Sequence, residues 1–128
     1  MLLVRDKTDR TALHVATLWS RKEVLAKLRE FANEETTMAE VNKKILLATD
    51  NWGVTAWQIA VMRGDTYLLV QLWEWAKEKL TTDELKHKLF LAKHKWGRTA
   101  WHDAAEAHNT EVLDILWEWG KGLLTTEE

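Results

Sequence analysis

The chain has no cysteine and no proline among its 128 residues, and only five glycines, one tyrosine and two phenylalanines. Without cysteine there is no disulfide, no thiolate metal site and no cysteine nucleophile. That absence is compatible with the cytosol, and the chain is expected to be intracellular, in the cytoplasm. Without proline nothing forces a helix to stop or kink, which suits a mostly helical chain. No apolar run approaches the roughly 18 residues of a membrane-crossing helix, so no membrane insertion is expected. No signal-peptide pattern stands at the start. Neither sign of charge dominates: 18 Lys and Arg against 20 Asp and Glu leave a net −2, which argues against nucleic acid as the main partner. The nucleophile elbow and the phosphate-binding glycine loop are also missing.

One residue type is abundant. There are nine tryptophans, and an internal repeat accounts for most of them. Thr11-Ala12-Leu13-His14 recurs 44 residues later as Thr55-Ala56-Trp57-Gln58, and again as Thr99-Ala100-Trp101-His102. The same offset carries Leu72-Trp73-Glu74-Trp75 onto Leu116-Trp117-Glu118-Trp119, with Leu28-Arg29-Glu30-Phe31 as a weaker first copy. Leu46-Leu47-Ala48 maps onto Phe90-Leu91-Ala92, and Met1–Val4 falls in the same register. A fixed period of this size points to stacked supersecondary units. The chain is read as a single domain with repeats at about 5–48, 49–92 and 93–128.

The second copy is the clearest. Asp50-Asn51-Trp52-Gly53 is a turn signature, since Asp and Asn bond locally to backbone and Gly accepts a positive φ. Thr55 stands at a helix N-cap, and the helix it opens runs to Gly64. Ala56 and Ala60, like Ala100 and Ala104, are small residues on one face that let another helix approach. A second helix is expected over about Thr66–Lys79, with Leu68, Leu69, Leu72, Trp73 and Ala76 as its apolar stripe. Thr81 and Glu84 form a capping box opening a third helix, with Leu85, Leu89 and Phe90 inward. The box recurs as Thr37…Glu40 and Thr125…Glu128.

The turn, Thr, His and Ala positions together resemble the ankyrin repeat, three times over. The resemblance runs through Asp6…Asp9-Arg10-Thr11-Ala12-Leu13-His14-Val15-Ala16, then Asp50…Gly53-Val54-Thr55-Ala56-Trp57-Gln58-Ile59-Ala60. It returns in His94…Gly97-Arg98-Thr99-Ala100-Trp101-His102-Asp103-Ala104-Ala105. It implies an all-α, ankyrin-like solenoid of about three helix–turn–helix units, joined by β-turn-like loops. The departures are consistent: Ala replaces the family's proline, Trp replaces Leu twice, and Gln58 replaces His once. The usual link between repeats gives way to a longer second helix and an added third, about 11 residues beyond the family's period of about 33. Armadillo and HEAT repeats have periods closer to this one and remain the minor alternative. Met1 is expected inside a third helix and Glu128 in a fresh capping box, as in a fragment of a longer array. Apolar stripes at Met1–Val4 and Leu123–Leu124 then make end-to-end self-association a possibility.

Chemical sites do not stand out. The resemblance implies that His14 and His102 bond to backbone and bridge neighbouring turns. His102, Glu106 and His108 form the one local cluster resembling metal ligands, without the H-E-x-x-H order. Glu34-Glu35 and Glu127-Glu128 read as solvated acids. No catalytic residue, cofactor, metal or small-molecule substrate is assigned, and the chain is read as no enzyme.

The tryptophans divide by position. Trp57, Trp101, Trp73 and Trp117 stand where the family places core leucines, while Trp75 and Trp119 are expected to cover the third helix. Trp52 and Trp96 fall in the polar turn, where the family's repeats are usually exposed, and Trp19 near the end of the first helix, on the face that lines the family's groove. The family's variable contact positions carry over to Lys7, Thr8, Arg10, Leu18 and Trp19, then Asn51, Trp52, Val54, Met62 and Arg63. The third unit adds Lys95, Trp96, Arg98, Glu106 and Ala107. This surface holds five basic residues and one acidic one, with the aromatic and Arg side chains enriched at binding hot spots. It suggests a scaffold that binds another protein through an acidic or acidic-hydrophobic segment. The alternative is a purely architectural spacer, in which Trp52 and Trp96 only brace one turn against the next.

Overall fold

A computed structural model describes residues 1–34 and 40–124. Helices and turns make up the described residues, with no strand among them. In chain order they are α1 (Ala12–Leu18), α2 (Lys22–Glu34), α3 (Glu40–Leu47), α4 (Ala56–Arg63), α5 (Thr66–Lys79), α6 (Thr82–Glu84), α7 (Ala100–Glu106) and α8 (Thr110–Leu123). α6 runs on into a wider π-helical stretch, Leu85–Phe90, in which the Leu91 N–H reaches back five residues to the Lys86 carbonyl. The all-helical class expected from the sequence is the class observed.

Local chemistry sets the boundaries. The Thr55 side chain accepts the Gln58 N–H while Gln58 Oε1 accepts the Thr55 N–H, a reciprocal cap that opens α4. Gly64 closes the helix with φ +67°, a conformation a Cβ would strain. Asp65 then caps α5, and Thr81 with Glu84 caps α6. The same devices serve the other copies: Thr11 with His14, Thr99 with His102, and Asn109 in place of Asp65. Of the two further capping boxes, Thr37 and Thr125–Glu128 lie outside the described residues. Met1–Val4 forms a turn, with the Val4 N–H on the Met1 carbonyl at 3.2 Å, where a helix was expected. From this turn Leu2 and Leu3 pack against the core.

α4 packs against both α1 and α7, and α3 packs between α2 and α5. Ala16, Ala60 and Ala104 are buried at matching places in α1, α4 and α7, as are Leu28, Leu72 and Leu116 in the longer helices. Small residues on the short helices allow the close approach. The third-helix segments are locked by polar links. Trp75 Nε1 donates to Asn42 Oδ1 (2.8 Å), and Asn42 Nδ2 donates to the Ala32 carbonyl (3.2 Å), joining α5, α3 and α2. Lys43 meets Glu84 at 3.1 Å between α3 and α6.

The widest part of the core is aromatic. Trp73 and Trp119 stack with centroids 4.5 Å apart, and Trp57 and Phe90 close round them at 5.6–6.5 Å. Two of the tryptophans expected in the core are outside it: Trp101 is 41 % exposed and Trp117 59 %. Their counterparts Trp57 and Trp73 are covered by α8 and by Phe90. Nothing among the described residues covers the third copy in that way.

Candidate protein-binding surface

Three turns precede α1, α4 and α7, and each is built round the residue that opens it. Asp6 Oδ1 accepts the Thr8 and Arg10 N–H groups, and Asp50 Oδ1 accepts those of Trp52 and Val54. The Arg10 and Thr8 backbone donors, with the Thr8 hydroxyl, hold the Asp6 carboxyl below the usual carboxylate range. In the third turn His94 takes this place, its Nδ1 accepting the Trp96 N–H at 3.2 Å. The turns are then linked to one another. The Asn51 N–H donates to the Thr8 carbonyl (3.0 Å), and 44 residues on the Lys95 N–H donates to the Trp52 carbonyl (2.8 Å). Sequence positions far apart thus lie on one continuous strip.

The first helices lend a second row. Leu18 and Trp19 end α1, Met62 and Arg63 end α4, and Glu106 and Ala107 end α7. The two rows meet in the third copy, where Arg98 of the turn forms an ion pair with Glu106 of the helix end. Trp19 and Trp96 are each 60 % exposed, and Lys7, Asn51, Arg63, Lys95 and Arg98 are exposed. Thr8, Arg10, Leu18, Trp52 and Met62 are half-buried.

Val54 does not belong to the surface. It is buried, and its carbonyl accepts both the Asp50 N–H and His14 Nε2, so the backbone there faces inward. The cationic character is also smaller than the composition suggests. Arg10 pairs with Asp50 at 3.4 Å and covers the Trp52 ring at 5.2 Å, while Arg98 pairs with Glu106. Lys7, Arg63 and Lys95 are left without an ion pair among the described residues. Trp52 and Trp96, equivalent in sequence, differ for the same reason: Val54 stands where an arginine would have to reach over Trp96.

The histidines are engaged in structure. His14 Nδ1 accepts the Thr11 N–H, and Nε2 donates to the Val54 carbonyl at 2.9 Å, bridging to the next turn. Gln58 Nε2 instead donates to the Ala92 carbonyl at 2.9 Å, six residues before the Arg98 position that corresponds to Val54. His102 Nδ1 is held by Thr99, and Glu106 by Arg98. Among the described residues no cluster of metal-ligating groups forms. One buried pair was missed by sequence reasoning: His94 Nε2 lies 3.1 Å from both carboxylate oxygens of Asp103. The signal was there, because Asp103 breaks the apolar position held by Val15 and Ile59. Both ring nitrogens of His94 are engaged within the fold.

No helix among the described residues is long and apolar enough to cross a membrane. Compared with models of known protein families the chain matches none, and no curated protein matches it.

Proposed function

We propose that the chain is an ankyrin-like repeat solenoid of about three units, and that it is a non-enzymatic scaffold. In this reading it binds another protein along the strip formed by the turns and the ends of the first helices. The observation that carries the proposal is the pairing of exposed aromatics with free cations on that strip. Trp19 and Trp96 stand open to solvent, and Lys7, Arg63 and Lys95 form no ion pair among the described residues. Large aromatic surface supplies affinity, and unpaired cations select acidic residues on the partner. An acidic-hydrophobic segment lying across the turns satisfies both.

The test is selection from a displayed peptide library, followed by titration of the best binder against Arg63→Glu and Lys95→Glu variants. The proposal expects acidic-aromatic or acidic-aliphatic peptides, and at least about a tenfold loss of affinity for each reversal, which corresponds to 1.4 kcal/mol. Peptides without charge bias, or binding indifferent to both reversals, would contradict it.

The architectural reading has one observation in its favour. Trp52 sits half-buried beneath Arg10 of the preceding turn, and its carbonyl receives the Lys95 N–H of the next. Trp52 is therefore assigned to bracing and Trp96 to contact. Acrylamide quenching of single-tryptophan variants separates the readings: a shielded Trp96 supports the spacer, an accessible one the scaffold.

A further inference from the structure

The positions of the repeat fall into three burial classes, and the classes have a direction. Some are buried in every copy, as with Leu28, Leu72 and Leu116. A second class is buried in the later copies and open in the first. Leu68 and Val112 are fully buried where Val24 is 45 % exposed, and Trp75 is fully buried and Trp119 half-buried where Phe31 is 45 % exposed. The third class is buried in the first two copies and open in the last. His14 and Gln58 are buried where His102 is exposed, and Leu13 and Trp57 are buried where Trp101 is exposed; Trp117 is exposed where Trp73 is buried, with Arg29 half-buried at that position in the first copy. Among the described residues the stack thus carries two different uncovered apolar faces, each composed of positions that an adjacent copy covers elsewhere.

The polar groups at the two faces match one another in the same register. The turn-to-turn ladder runs from Thr8 to Asn51 and from Trp52 to Lys95. It leaves the Trp96 carbonyl at one end and the Lys7 N–H at the other without a partner among the described residues. His14 Nε2 bonds the Val54 carbonyl, which also takes the Asp50 N–H. At the ends, His102 Nε2 has no protein partner among the described residues, and the Arg10 carbonyl takes only the Asp6 N–H. Arg10 pairs with Asp50 Oδ2; by the same offset Arg98 would face Asp6, whose Oδ2 is unused.

We infer that this chain associates head to tail with a second copy of itself, the face of Trp101, His102 and Trp117 covering that of Ala12, Val24 and Phe31. The inference rests on the stacked architecture proposed above but not on the peptide-binding strip. Such contacts are heterologous and do not close, so further copies add in line. Large exposed apolar patches mark such interfaces.

Sedimentation velocity on the full chain, with two variants, tests the inference. Trp117→Glu blocks one face and Val24→Glu the other, at exposed positions, with helix content checked by circular dichroism. Wild type is expected to gain mass with concentration, and each variant alone to stay a single chain. An equimolar mixture is expected to form a species of two chains and nothing larger, because each variant retains one working face. Should Val24→Glu lose its helix content, Ala12→Arg blocks the same face. Wild type that stays monomeric, variants that still associate alone, or a mixture that does not pair would each overturn the inference. An Arg63→Glu variant separates it from the strip: peptide binding is lost while the mass distribution is unchanged.

Discussion

His14 Nε2 lies 2.9 Å from the carbonyl oxygen of Val54, so a buried imidazole in one repeat holds the turn that opens the next. Its other nitrogen accepts the Thr11 N–H, and one side chain therefore caps a helix and joins two units. Replacing His14 by Ala removes both bonds and leaves a small void. The variant is expected to lose about 1–3 kcal/mol, the usual cost of unsatisfied buried polar groups. His14→Gln should recover part of this, because Gln58 caps α4 in the second copy and its amide also donates to a backbone carbonyl beyond that helix. Urea unfolding midpoints of the three proteins are the measurement.

Burial pushes the His14 pKa below its ordinary 6.5, and the nearby Arg5 and Arg10 add to the depression. The Val54 carbonyl and Asp50 act in the opposite direction without overcoming it. A base whose folded-state pKa is lowered binds its proton better in the unfolded chain. Its contribution is therefore intact above about pH 6.5 and declines as pH falls towards the folded-state value. Stability measured from neutral to mildly acidic pH should fall more steeply for wild type than for His14→Gln. Parallel curves would show that His14 does not titrate in this way.

Trp57 and Trp101 are the same position in two repeats, yet Trp57 is buried among Trp73, Phe90 and Trp119 while Trp101 is half open. Trp57→Ala should cost about 3–5 kcal/mol by loss of packing and creation of a cavity. The Nε1–H of Trp57, which has no partner among the described residues and is removed by the same change, offsets only part of that. Trp101→Ala should cost less than about 1.5 kcal/mol, since much of its ring already faces water. Guanidinium unfolding of the two variants decides it, and equal losses would mean that the third repeat is covered as fully as the second.

Much of the second repeat was legible because its signals are local. Thr55, Gly64, Asp65 and Thr81 act within three or four residues, and the helices they bound fall where the sequence places them. Burial at the ends was not legible in the same way. A repeat pattern assigns Trp101 and Trp117 the environment of Trp57 and Trp73, but that environment is built by the next unit. The family's contact positions place Val54 on the surface; it is buried, and its carbonyl meets His14, forty residues earlier. The charge of the strip was overestimated for a related reason. The partners that neutralise Arg10 and Arg98, Asp50 and Glu106, are neighbours in space and not in sequence.

The central claim is that the turn strip binds a partner segment. Nine indole N–H signals in a ¹H–¹⁵N correlation spectrum, followed as an acidic-hydrophobic peptide is added, test it most directly. Trp19 and Trp96 are expected to shift, together with the backbone amides of Lys7, Arg63 and Lys95, while Trp57 and Trp75 stay in place. Shifts confined to α2, α5 and α8, or none at saturating peptide, would contradict it.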